Sequence, residues 1–128
     1  MTIFNNVFHN NQIIAHAMRA TQMRNNIISH NIANVDVPGF SRSVLRFEDL
    51  LDRELTNAAR ENRAINLANA TPETQVLEEG LRHRLDGNNV DIEAEMVALF
   101  QNSTRYEVMT MNVTNNFARI TGVMMSNI

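Results

Sequence analysis

One stretch near the N-terminus decides the fold of this chain: Ser29-His30-Asn31-Ile32-Ala33-Asn34-Val35-Asp36-Val37-Pro38-Gly39-Phe40. Pro38 fixes φ and has no N–H to donate, and Gly39 readily adopts positive φ. Val37 precedes the proline and is therefore disfavoured in the helical region. These preferences predict a helix that ends near Asn34 and a type II turn over residues 37–40.

Before this turn, residues recur at alternating steps of three and four, which is the spacing of a heptad seam. This first seam comprises Phe4, Val7, Asn11, Ile14, Met18, Thr21, Asn25, Ile28 and Ile32. The spacing predicts a continuous helix over residues 4–33.

A second seam occupies the C-terminal part of the chain. It follows the turn cluster Asp86-Gly87-Asn88-Asn89 and a group of carboxylates that favour a helix N-terminus. The seam comprises Ile92, Met96, Leu99, Ser103, Tyr106, Thr110, Val113, Phe117, Ile120 and Met124. We predict a second continuous helix over residues 92–125, antiparallel to the first, because the two seams have similar length.

The middle of the chain has a different pattern. Phe47, Leu51 and Leu55 share one face of a short amphipathic helix predicted over residues 47–55. Residues 56–79 are polar without a persistent period, which predicts a connection that is mobile or ordered by a partner.

The predicted fold class is all-α. Two long antiparallel helices, paired in a coiled-coil-like manner, are joined by an extended, partly irregular middle segment. The expected divisions are residues 1–35, 36–90 and 91–128.

The composition favours packing between copies of the chain. Among 128 residues, 5% are aromatic, none is Trp and 19 are Asn, so a large compact core is hard to build. Apolar residues also lie off the seams, at Phe8, Ile13, Met23, Ile27, Phe100, Val108, Met109 and Met111. Apolar surface on several sides of a helix indicates several neighbouring helices. An ordinary compact bundle is the alternative.

Several function classes are disfavoured by the residues present. The net charge of −3 argues against nonspecific nucleic-acid binding, and the absence of Cys excludes disulfides and thiol catalysis. The four His include no i,i+4 pair, and no Gly-x-Ser-x-Gly elbow occurs. We therefore expect no catalytic residue, metal, cofactor or small-molecule substrate.

Two blocks of sequence resemble bacterial flagellar rod and hook proteins. The usual form of their N-terminal signature is Asn-(Ile/Leu)-Ala-Asn-(Ala/Val)-Asp-Thr-Pro-Gly-(Tyr/Phe), and Val37 stands here in place of Thr. The matching residues are Asn31, Ala33, Asn34, Asp36, Pro38, Gly39 and Phe40. A second block is similar to the proximal rod proteins of this family through Gly87, Asn88, Val90, Asp91, Glu95, Met96 and Tyr106.

The resemblance implies a non-enzymatic subunit that polymerises at the membrane-proximal end of the flagellar basal-body rod, around the export channel. Its implied location is the periplasmic rod, reached through the flagellar type III apparatus without a cleaved signal peptide. The N-terminal residues also predict no such signal, since they lack a basic region and a continuous apolar run. The implied partners are other copies, other rod proteins, the adaptor FliE, the MS ring and the export gate.

Assembly would use the apolar residues of both seams. Those expected to pack between helices are Phe4, Val7, Ile14, Met18, Ile28, Ile32, Ile92, Leu99, Val113, Phe117, Ile120 and Met124. Two alternatives remain open, namely another minor rod subunit of the same family and a helical adaptor or chaperone of a secretion system.

Overall fold

The computed structural model describes residues 2–77 and 85–125, with side chains from residue 10 onward. Its helices are α1 (Thr2–Ala33), α2 (Glu48–Glu61) and α3 (Ile92–Met125). Two short strands, β1 (Ser43–Arg46) and β2 (Glu73–Val76), pair with each other, and a 3-10 helix at Leu67–Ala70 precedes β2. The two long helices predicted from the seams are confirmed.

Helices α1 and α3 run antiparallel beside each other. Asn31 Nδ2 donates to Glu95 Oε2 at 3.2 Å near one end of the pair. Further along, Asn102 Nδ2 donates to the Thr21 carbonyl at 2.9 Å. Near the other end, Asn116 Nδ2 donates to Asn11 Oδ1 at 3.1 Å. Residue numbers fall along α1 as they rise along α3, so the contacts fix the antiparallel direction over much of the pair.

The turn after α1 has the predicted geometry. Phe40 N–H donates to the Val37 carbonyl at 3.2 Å, and Gly39 has φ +72°, as the third residue of a type II turn requires. The Gly39 N–H also donates to the Asp86 carbonyl at 3.0 Å. This turn therefore ends α1 and holds the chain against the segment that leads into α3.

The middle of the chain differs from the prediction. It contains a two-stranded antiparallel sheet, in which Ser43 pairs with Val76 and Arg46 with Glu73, so the all-α prediction was wrong in this region. Helix α2 extends to Glu61, six residues beyond its predicted end. The strands gave no sequence signal because each has four residues and every residue of β2 is exposed, which leaves no apolar alternation to read.

A small apolar core joins the middle of the chain to α1. It consists of Ala20, Leu45, Phe47 and Ala70, with Ala17, Ile27 and Leu51 packed around it. Several of these residues are alanines, whose small side chains allow α1, β1 and the start of α2 to approach closely. The core is small, as the low aromatic content predicted.

Candidate functional site

The two sequence blocks meet at one end of the α1–α3 pair, where they form a cluster that we call the polar lock: Asn31, Arg42, Asn88, Asn89 and Glu95. Asn31 is fully buried and hydrogen-bonds the backbone of Ser43 in both directions. Its Nδ2 donates to the Ser43 carbonyl at 2.8 Å, and the Ser43 N–H donates to its Oδ1 at 3.0 Å. The side chain thus attaches the first residue of β1 to α1.

Glu95 is a fully buried carboxylate in the polar lock. Its two oxygens have different partners, because Arg42 Nε donates to Oε1 while Asn31 Nδ2 donates to Oε2. A buried charge is tolerated when it is paired and hydrogen-bonded. Glu95 therefore ties α3 to both α1 and the segment before β1.

Asn88 is also fully buried, and its side chain hydrogen-bonds to main-chain groups of two separate segments. Its Nδ2 donates to the carbonyls of Asn34, Val35 and Val37 at 3.0, 2.9 and 2.9 Å. Its Oδ1 accepts from the Val90 N–H at 2.8 Å. One side chain therefore binds carbonyls from both the end of α1 and the following turn.

Asn89 and Asp91 complete the connection into α3. Asn89 Oδ1 accepts from the Arg42 N–H at 2.6 Å, and Asn89 Nδ2 donates to the Leu77 carbonyl at 2.8 Å. Asp91 caps α3, since its Oδ1 accepts from the N–H groups of Glu93 and Ala94 at 2.9 and 3.2 Å. These contacts give the second block a structural role at the start of α3.

The other block residues, apart from Val90, are partly buried or exposed. Ala33, Asp36, Pro38, Gly39 and Met96 are exposed, whereas Asn34, Phe40, Gly87 and Tyr106 are partly buried and Val90 is buried. The Phe40 ring lies with its centroid 5.5 Å from that of His30.

A second polar cluster, which sequence reasoning missed, surrounds Glu54 on α2. Its carboxylate accepts from Arg63 Nη1 at 2.5 Å, from the Asn66 N–H at 2.7 Å and from Asn69 Nδ2 at 2.9 Å. These hydrogen bonds, with that from Arg63 the largest cause, lower the pKa of Glu54 to about 2. The sequence signal that could have found Glu54 was its spacing. Glu54 shares one helical face with Phe47, Leu51 and Ala58, which places it on the apolar side of α2.

The twelve apolar seam residues expected to pack between helices divide by exposure within the single chain. Ile28 is buried. Those that are partly buried are Ile14, Met18, Ile32, Leu99, Val113 and Ile120. Those that are exposed are Ile92, Phe117 and Met124, and the side chains of Phe4 and Val7 lie outside the described ones.

Helix α3 carries apolar side chains on the side away from α1. We call Met96, Phe100, Thr104, Glu107 and Met111 the outward face of α3, since steps of four, four, three and four place them on one side of the helix. Phe100 is 74% exposed, and Met96 and Met111 are 53% and 52% exposed. Such a row of apolar side chains in water is typical of a surface that binds a partner.

Within residues 2–77 and 85–125, the structure contains no group of three or more His, Asp or Glu placed to hold a metal ion. No helix in these ranges is long and apolar enough to cross a membrane. Of the four histidines, the structure describes the side chains of His16 and His30, and those of His9 and His83 lie outside the described part of the chain.

The chain is similar to known flagellar proteins. A family model described as flagella basal body rod protein matches residues 12–40. The flagellar basal body rod protein FlgB of Borrelia hermsii is 33% identical over 130 residues, which cover 90% of this chain and 96% of the relative. FlgB of Bacillus subtilis strain 168 is 26% identical over 91% of this chain and 92% of the relative. FlgB of Borreliella burgdorferi is 33% identical over 69% of this chain and 75% of the relative.

Proposed function

The chain belongs to the family of the flagellar basal body rod protein FlgB, and we propose that its helices α1 and α3 pack against the long helices of neighbouring rod subunits. It is a structural subunit of the flagellar basal body rod. The observation that carries the proposed packing is the exposed outward face of α3, which no other part of the described chain covers.

The energetics favour such packing. Fully burying a side chain such as Phe or Met contributes about 1.5–3 kcal/mol relative to leaving it in water. Phe100 is the most exposed large apolar residue of α3, and Met96 and Met111 lie on the same side. A neighbouring helix laid along this side would remove all three from water at once.

The heptad spacing suggests the form of the contact. Seam positions on α1 and α3 have the step pattern of knobs-into-holes packing, so we propose a coiled-coil-like arrangement within and between subunits. The exposed seam residues Ile92, Phe117 and Met124 then become buried on assembly.

The position in the organelle follows from the family resemblance. We propose that the subunit lies at the membrane-proximal end of the periplasmic rod, around the export channel. Its partners there would be other rod proteins, the adaptor FliE, the MS ring and the export gate. It would reach this place through the flagellar type III apparatus without a cleaved signal peptide, and it would act without catalysis or cofactor.

The middle of the chain has a different proposed role. The polar lock fixes β1 and the segment before α3 to one end of the helix pair, and the small core fixes α2 to α1. Residues 41–77 are thereby held at a defined place on the helix pair. They would form the outer part of the subunit, while α1 and α3 form the inner tube.

The test is to isolate basal bodies from the bacterium that encodes this chain. We expect an affinity-tagged chain in the isolated rods and no completed rod in a deletion strain. Phe100→Gln should reduce rod yield, since it removes an exposed apolar side chain from the outward face. The matched control is Val76→Gln on β2, where the residue is 52% exposed and belongs to neither long helix. Absence of the tagged wild-type chain from basal bodies would refute the function, and normal rods with Phe100→Gln would refute the packing.

A further inference from the structure

An open apolar groove lies between α1, the start of α2 and α3. Its volume is about 400 Å³. The residues that line its apolar part are Ala17, Thr21, Phe47, Leu51, Val108 and Met109. Thr104 also lines the groove and belongs to the outward face of α3, so the two surfaces are continuous.

One end of the groove is charged. Arg24 Nη2 donates to Glu48 Oε2 at 2.5 Å, and Arg105 Nη1 lies 3.8 Å from Glu48 Oε1. Two guanidinium groups thus share one carboxylate, which leaves this end with one positive charge in excess. The Arg105 side chain is 62% exposed and can turn to an additional anion.

The outward face of α3 carries a negative charge and an apolar side chain in an order that matches the positive end and the apolar part of the groove. Glu107 is exposed, and no ion pair links it to another described residue. Met111 follows one turn later on the same side, about 6 Å along the helix axis at 1.5 Å per residue. In the groove, Arg105 precedes Val108 and Met109 by about the same distance in the same direction along α3.

We propose that the groove of one subunit receives the outward face of α3 from a second copy of the chain, with the two α3 helices parallel. This inference rests on the proposed function, since it specifies which surfaces meet in the rod. Glu107 of the incoming helix pairs with Arg105 and Arg24, and its Met111 enters the apolar part beside Leu51. The contact joins two different surfaces of the same molecule, so repeating it generates either a closed ring or an open helical polymer.

A charge exchange tests the pairing. Residues 105 and 107 are two positions apart on one helix and do not face each other, so any coupling between them arises between subunits. We expect Arg105→Glu or Glu107→Arg alone to reduce rod yield roughly tenfold, because each places like charges in a desolvated contact. The double variant should recover to within about twofold of wild type, given that the charge pair is restored.

The matched control is Arg60→Glu on α2. Arg60 is exposed and lies outside the groove, and Arg60→Glu makes the same change in net charge as Arg105→Glu. Its rod yield should equal that of wild type. Equal yields for Arg105→Glu and Arg60→Glu, or a double variant no better than either single variant, would overturn the proposed contact.

Crosslinking gives a second measurement that does not depend on a loss of function. The chain has no Cys, so introduced thiols are the only ones that this chain carries. Subunits with Leu51→Cys and subunits with Met111→Cys, expressed together, should form a disulfide-linked dimer in isolated rods. Met111→Cys paired with Val76→Cys should give none, and neither should Met111→Cys alone.

The outcomes separate this inference from the proposed function. Rods that contain both variants without the crosslink would overturn the groove contact and leave the rod function standing. A dimer formed by Met111→Cys alone would show a symmetric contact between two outward faces and would also overturn it. Wild-type chain missing from the rods would instead refute the proposed function.

Discussion

Substitution of Gly39 isolates the contribution of backbone conformation at the turn after α1. Gly39 has φ +72°, and an added Cβ would meet no atom within 4 Å. A side chain there therefore costs only what the left-handed region costs an L-residue. That cost is about 1–2 kcal/mol for an ordinary residue and about 3 kcal/mol for a strained one, while Asn adopts this region more readily.

The defect is thus expected to be mildest for Gly39→Asn, larger for Gly39→Ala and largest for Gly39→Val. A difference of about 2 kcal/mol between Val and Asn changes the population of the native turn roughly thirtyfold. The Val37–Phe40 turn places residues 41–77 on the helix pair, while α1 itself can form without it. We therefore expect expression and export to continue with Gly39→Val, and rod completion and swimming to fall.

The assay compares swimming-ring diameter and basal-body yield across the three variants at equal export. If Gly39→Asn impairs rods as strongly as Gly39→Val, side-chain volume and not backbone strain is responsible. The space beside Gly39 would then be filled by a neighbouring subunit, and the reasoning from φ would be refuted. Normal rods with Gly39→Val would refute it as well.

Three further predictions concern other parts of the fold. Asn88→Ala should destabilise the purified chain by about 2–3 kcal/mol, because it leaves the buried Val90 N–H without its acceptor; urea titration measures this, and an unchanged midpoint would contradict it. The pKa of Glu54 is lowered from 4.5 to about 2. The ionised Glu54 therefore stabilises the fold fully above pH 4.5, and this stabilisation is lost as the pH falls towards 2. Acid should therefore destabilise wild type more than Glu54→Gln in this window, and equal acid sensitivity would contradict the role of the cluster. The purified subunit should be mostly monomeric and should gain helix on assembly; circular dichroism and sedimentation that show a compact, fully helical monomer would favour an ordinary bundle.

The long helices and the turn could be predicted from the sequence because their signals are local. Seam spacing set the extent of both helices, and the Pro38-Gly39 pair set the turn. The sheet could not be predicted in this way, since pairing Ser43 with Val76 depends on contacts across more than thirty residues. The polar lock was foreseen only as two blocks of residues. The acceptors of Asn88 lie more than fifty residues away in the chain, and no local pattern indicates them.

The main-chain acceptors of Asn88 bear on how the sequence can drift during evolution. The Asn88 amide binds three carbonyl oxygens, which every amino acid supplies, and so it recognises the path of the backbone whatever side chains lie along it. Positions 35 and 37 are therefore free to change residue type as long as the turn is kept, and Val37 in place of the customary Thr is one such change. Position 88, in contrast, is expected to stay Asn, because no other side chain of the same size both donates to these carbonyls and accepts from the Val90 N–H.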